Sequence, residues 1–182
     1  MSNLEARTAR PQPHEYDPYY HKYVALVPAG DIIAILREQL AGTVEPLRAV
    51  PAAAERFAYA PGKWSIREVV GHLSDVERVF GYRALRFARG DATPLAGFDE
   101  NLYVPAGEFA ARPLGALIEE LVAVRAATVA LLEGLPAAAW SRGGSANGVG
   151  VTVRALSVIT AGHELHHRAL LAERYLAALP AV

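Results

Sequence analysis

The chain has no cysteine, so it can form no disulfide and offers no thiolate ligand or cysteine nucleophile. That absence fits a reducing compartment, and a cytoplasmic location is the expectation. No run approaches the roughly 18 uncharged apolar residues of a membrane span. The N-terminal Met1-Ser2-Asn3-Leu4-Glu5-Ala6-Arg7 lacks an apolar signal core, so neither membrane nor secretory leader is expected. A strong charge of either sign is also missing. The formal net charge of −1 leaves no field to attract nucleic acid. Strand signals are nearly absent.

What remains is a chain of 182 residues, 52% apolar, with enough material for one well-cored domain. Residues 1–29 stand apart. Pro11, Pro13, Pro18 and Pro28 argue against helix there, and Tyr16, Tyr19, Tyr20 and Tyr23 predict an arm laid across the domain of residues 30–182. Four amphipathic segments follow. Asp31 is the N-cap of the first, whose apolar face is Ile32, Ile35, Leu36, Leu40 and Leu47, and Pro46 should kink or end it. Residues 50–63 read as a connector. Ser65-Ile66-Arg67-Glu68 is a capping box that opens a second helix to about Ala88. After a long polar-aromatic loop, a third helix runs from Pro113, placed for N1, to Gly134. The Gly-rich stretch Gly143–Gly150 reads as a flexible connection or lid, and a fourth helix spans roughly Thr152 to Ala178. Four long amphipathic helices predict an all-α, antiparallel four-helix bundle with an irregular Pro/Tyr-rich arm.

The chemistry concentrates in the fourth helix. His163 and His167 are four residues apart, about 40° around the helix and one turn along it. They lie in a stripe with Leu156, Ile159, Thr160 and Leu170 that faces the core. A polar group buried without a partner costs roughly 1–3 kcal/mol, and a shared divalent metal would supply the partner. His72, on the second helix, is a third inward-capable imidazole. Three neutral imidazoles and a water make an open site suited to one divalent transition metal: Zn, Ni, Mn or Fe. The rival reading is hydrogen-bonded core histidines without metal. His163-Glu164-Leu165-His166-His167 also fits the H-E-x-x-H metalloprotease pattern, but Arg168-Ala169-Leu170-Leu171 lacks the extended motif's downstream Gly and His. His166, about 60° from His163, reads as a surface group or a neighbour of the ligands. Asp75 and Glu68 flank His72 at i+3 and i−4, as a solvated face or as carboxylates that orient His72. Arg83 shares the His72 direction, so it could reach an anionic substrate group.

The run Pro61-Gly62-Lys63-Trp64-Ser65-Ile66-Arg67-Glu68-Val69-Val70-Gly71-His72, together with Gly162-His163-Glu164-Leu165-His166-His167, resembles the DinB-like (YfiT-like) superfamily, which is unrelated to the DNA polymerase that shares the name. The resemblance covers roughly residues 30–178. It implies a four-helix bundle, often a homodimer, with a divalent metal on three histidines, matched here by His72, His163 and His167. It also implies a choice of activities: thiol S-transferases that use a low-molecular-weight thiol, metal-dependent hydrolases, and members without known activity. The expectation is a metal-dependent enzyme acting on a small molecule through a metal-activated thiol or water. Glu164 or Asp75 would orient a ligand or carry a proton. With no cysteine, any thiol must be a cosubstrate. The alternatives are a non-catalytic dimeric bundle with a structural metal and a stress-related binding protein.

Overall fold

The computed structural model describes residues 2–179; Met1 and the last three residues of the expected 30–182 domain lie outside them. Four helices form the bundle. They are numbered in chain order with three shorter ones: α1 (Asn3–Thr8), α2 (His21–Val24), α3 (Ile32–Arg48), α4 (Ile66–Ala88), α5 (Glu100–Ala106), α6 (Leu114–Glu133) and α7 (Val153–Leu170). Each long helix starts where its first peptide N–H groups find an acceptor. Asp31 Oδ1 accepts from Ile33 N at 3.0 Å. Ser65 and Glu68 exchange the two bonds of the capping box. Thr152 Oγ1 accepts from Ala155 N at 3.1 Å. α6 has no local side-chain cap, because Pro113 is its N-cap rather than its first turn; instead Leu114 N donates to the distant Glu55 Oε2 at 3.1 Å. α3 passes Pro46 by two residues and ends at Arg48. The last helix is regular only to Leu170, and a wider π turn, Leu171–Tyr175, carries it on.

The helices α4 and α3 each pack on both α6 and α7, so α3 and α4, consecutive in the chain, lie across the bundle from one another. Two apolar clusters fill the interior. One contains Leu36, Val76, Phe80, Val129 and Ile159; the other contains Val44, Leu73, Leu121 and Leu171. The order in which each helix meets these clusters gives its direction. α7 runs against α4 and α3 runs against α6, while the neighbours α4 and α6 run the same way. A parallel neighbour needs a crossover, and residues 89–113, with α5 inside them, provide it.

Between the clusters lies a polar layer with a contribution from every bundle helix. Arg125 of α6 donates Nε to Glu77 Oε1 of α4 at 2.8 Å, Nη2 to Glu164 Oε2 of α7 at 2.7 Å and Nη1 to the Leu36 carbonyl of α3 at 2.7 Å. Thr43 Oγ1 and Gln39 Nε2, also on α3, donate to Glu164. Burial opposes the Arg125 charge, yet the two carboxylates outweigh it and hold its pKa above the usual value.

Two segments differ from expectation. The Pro/Tyr arm contains helices after all, because its prolines sit at first-turn positions of short 3₁₀ turns, Pro13–Glu15 and Pro18–Tyr20, or outside the helices. Residues 143–152 are not a loose connection. They form a two-stranded antiparallel hairpin, β1 (Gly143–Ala146) and β2 (Val149–Thr152), around Asn147-Gly148. Both turn residues have positive φ, 54° and 79°, as a type I′ hairpin turn requires.

The polar layer yields the first prediction. Arg125→Met should cost about 3–5 kcal/mol of folding stability, since it strands two buried carboxylates. Adding Glu77→Gln and Glu164→Gln should restore part of that loss. Urea unfolding checks both variants, and a single-variant loss below about 1 kcal/mol would show that the layer is not structural.

Candidate metal centre

His72, one helical turn before Val76 and Glu77, points from α4 toward the seam with α7. His163 and His167 point back from consecutive turns of α7. One nitrogen from each ring lies within 4.8 Å of the other two, and all three residues are buried. His72 Nε2 and His163 Nε2 are 3.2 Å apart. Two nitrogens on one tetrahedral Zn²⁺, with bonds of about 2.0–2.1 Å, stand about 3.4 Å from each other, so the spacing fits a shared ion. An N–H···N bond fits it too, with the proton assigned by tautomer. His167 Nδ1 is buried with no hydrogen-bond partner among the described residues. A nitrogen left in that state is what a ligand from outside the chain would satisfy.

The electrostatics suit cation binding. Burial pushes the His72 pKa down to about 4 and that of His167 to about 3, and holds His163 well below its usual value; the neighbouring histidines reinforce the effect on His163 and His167. All three rings are therefore neutral near pH 7, with lone pairs available.

The cluster forms the floor of a cavity of about 480 Å³. Its walls come from five parts of the chain, four of them being Tyr20 and Tyr23 of the arm, Trp64 before α4, Phe80 and Arg83 of α4, and Phe98 of the crossover. The hairpin contributes Asn147 and Val149 at its tip. The Tyr23 ring lies 5.5 Å from the rings of both His163 and His166. Gly162 permits this approach, because a Cβ there would sit 2.1 Å from the Tyr23 carbonyl oxygen.

Of the residues expected from sequence, the structure brings together His72, His163, His167 and Arg83. His166 is exposed and stands at the cavity edge. His14 and His21 are exposed on the arm. Glu164 and Asp75 do not line the cavity. Glu164 is next to His163 in sequence, hence about 100° around α7 and turned into the Arg125 layer. Asp75 faces Arg78, at 3.6 Å, on the side of α4 toward α6. Burial pushes its carboxyl up, and Arg78 partly offsets that. The sequence marks Tyr20 only as part of the arm and Trp64 only as part of the family motif, and it gives Phe98 no role; the structure puts all three on the cavity wall.

The sequence matches the DinB superfamily over residues 32–171. The chain belongs to that superfamily. Among solved structures, YfiT from Bacillus subtilis, described as a probable metal-dependent hydrolase with an unusual four-helix bundle topology, matches with a TM-score of 0.73. The match covers 93% of this chain and 95% of YfiT at 19% identity, so it shows a shared fold. No curated protein matches the chain in sequence. Among the described residues, no helix is long and apolar enough to cross a membrane.

The depressed histidine pKa values predict how the metal-free protein responds to acid. The unfolded chain protonates these imidazoles near pH 6.5, but the folded chain protonates His72 only near 4 and His167 near 3. Stability is thus full above about pH 6.5 and falls as the pH drops toward 4, by up to about 1.4 kcal/mol per pH unit for each histidine. Urea midpoints of metal-free protein should decline steadily from about pH 7 to about pH 4.5. His72→Gln should flatten part of the slope, and a level wild-type profile would contradict the buried neutral rings.

Proposed function

We propose that this DinB-superfamily protein is a metal-dependent enzyme acting on a small molecule, of the hydrolase or thiol S-transferase type, with His72, His163 and His167 as the ligands of one divalent ion. A single observation carries the reading: three buried, neutral imidazoles converge on the floor of a cavity large enough for a small molecule. When bound, the ion would supply a Lewis acid that makes a water or a low-molecular-weight thiol nucleophilic near neutral pH. The chain's own residues do the rest. The imidazoles are held close together by helix packing, with one nitrogen of each within 4.8 Å of the other two. Tyr20, Tyr23, Phe80 and Phe98 exclude bulk water and present flat surfaces to a substrate. His166 reaches both cavity and solvent, partial burial at the cavity edge lowers its pKa, and it is placed to accept a proton. Glu164 acts on the site as a positioning residue, anchoring the α7 turn that carries His163.

The donor set favours an open site over a structural one. Three histidines converge, the chain has no cysteine, and the nearest carboxylate on α7 is engaged with Arg125. A structural site closes with four protein ligands. Metal-free protein titrated with Zn²⁺, Ni²⁺ or Mn²⁺ should retain about one ion per chain by native mass spectrometry, and His167→Ala should lose most of it. On Co²⁺-substituted protein, azide or a small thiol should shift the visible spectrum. A His167→Ala variant that binds as tightly as wild type would remove the ligand assignment. A silent anion titration would leave a structural metal.

A homodimer belongs to the same reading, motivated by the family resemblance. We assign the second copy to the apolar groove between α4 and α6, where Tyr82 and Leu85 are exposed beside Ala123 and Ala127. Light scattering at tens of micromolar should give twice the chain mass, and Tyr82→Glu should reduce it. A wild-type monomer at that concentration would overturn the dimer.

A further inference from the structure

Two arginines are buried among the described residues, and they are held in opposite ways. Arg125 lies between two carboxylates. Arg83, 4% exposed, has no carboxylate at ion-pair distance among the described residues. Its Nη2 donates to the Ala96 carbonyl at 2.9 Å, and the Tyr20 hydroxyl stands beside it. The rings of Phe80 and Phe98 lie 5.9 and 5.7 Å from its guanidinium carbon. A guanidinium cannot shed its proton at any ordinary pH, so its burial without a counter-charge is costly. Two partly buried arginines avoid that cost: Arg67 pairs with Glu55 and Arg154 with Glu15. Arg83 alone of this group opens onto a cavity instead of an acid.

We propose that the cavity binds a small carboxylic acid with a flat apolar body, its carboxylate on Arg83 and its far end at the three histidines. The proposal deepens the enzyme reading by naming a substrate class, and it rests on that reading only for what happens at the far end. A single planar fork of donors matches one carboxylate. Asp17 and Glu100, also on the cavity wall, oppose a second negative charge, so a monoanion fits better than a phosphate ester or a diacid. The middle of the cavity is aromatic. The Phe80 ring lies 5.9 Å from the guanidinium carbon and 6.3 Å from the His163 ring, so a body of one ring and a short chain bridges the two ends. Tyr20 and Phe98 supply the faces on which that body stacks.

Cinnamate and its neutral isostere cinnamamide test this on the full chain, by calorimetric titration of metal-free and metal-loaded protein. Metal-free protein should bind the acid at least about tenfold more tightly than the amide, the difference a charged hydrogen-bonded pair makes. Arg83→Met should erase that preference, weakening the acid by at least about tenfold more than it weakens the amide. Should Arg83→Met fail to fold by circular dichroism, the acid-to-amide ratio on wild type still decides. Equal binding of acid and amide to metal-free wild type overturns the proposal. So does an acid preference that survives Arg83→Met, or one that appears only with metal, because the carboxylate then sits on the ion. If no metal binds but the Arg83-dependent preference holds, the enzyme reading fails and this binding site stands.

Discussion

Everything in the bundle is arranged around one buried guanidinium. Arg125 reaches from α6 to carboxylates on α4 and α7 and to a carbonyl on α3, so its position is set by all four bundle helices at once. Apolar packing alone would tolerate sliding or rotating one helix by a turn, because Leu, Val and Ala side chains repack. A fork of donors with fixed acceptors does not tolerate it. A displaced helix would leave a charge without its partner in the interior, at a cost comparable to the whole stability of an ordinary domain. The two apolar clusters supply the driving force for collapse, and the layer between them selects the register.

That register fixes the histidines. Glu164 is tied to Arg125, Gln39 and Thr43, and His163 precedes it by one residue. The pitch of α7 then places His167 one turn on, and Glu77 does the same for His72 on α4 from five residues away. The cavity above them is closed by parts of the chain that do not belong to the bundle. Gly162 lets the arm's backbone touch α7 beside His163, which puts the Tyr23 ring over the cluster. The hairpin is pinned to the crossover through Leu95 N to Ser145 O at 2.9 Å and Asn147 N to Leu95 O at 3.0 Å. Bundle helices hold the candidate ligands, and the arm, the crossover and the hairpin shape the pocket.

Local signals made part of this legible beforehand. The Ser65 capping box, the Asp31 cap and the four-residue histidine spacing depend on residues close in sequence, and each appears where its chemistry puts it. The hairpin is equally local: its glycines suit a loose connection, but Asn147-Gly148 between two four-residue strands is a turn with a fixed shape. Arg125 was harder. It lies four residues after Leu121, within the apolar stripe of α6, as Glu77 lies four after Leu73 on α4. A charge in an inward position is a sign of a buried partner, yet its partners come from α4, α7 and α3. Only the crossing of α3 and α4 on opposite sides of the bundle brings them together, and no local pattern specifies that crossing. The destination of Glu164 follows from the same cause: its place beside His163 in sequence suggested a role at the ion, but adjacent residues on a helix face different ways.

The charges that result are unevenly placed. Beneath the histidines, one guanidinium meets two carboxylates, so the layer that touches His163 from the core side holds more acid than base. At the other end of the cavity, Arg83 is a cation with no acid at ion-pair distance among the described residues. Three neutral imidazoles lie between. A cation entering this field is drawn to the floor, where the surplus carboxylate offsets part of its charge, and an anion is drawn to the opposite end. A molecule with one negative group and a reactive centre some distance from it would therefore be oriented before any chemistry began, with its reactive part over the histidines. The buried charges that fix the helix register and the charges that orient a ligand form one continuous arrangement, since Glu77 and Arg83 lie fewer than two turns apart on the same helix.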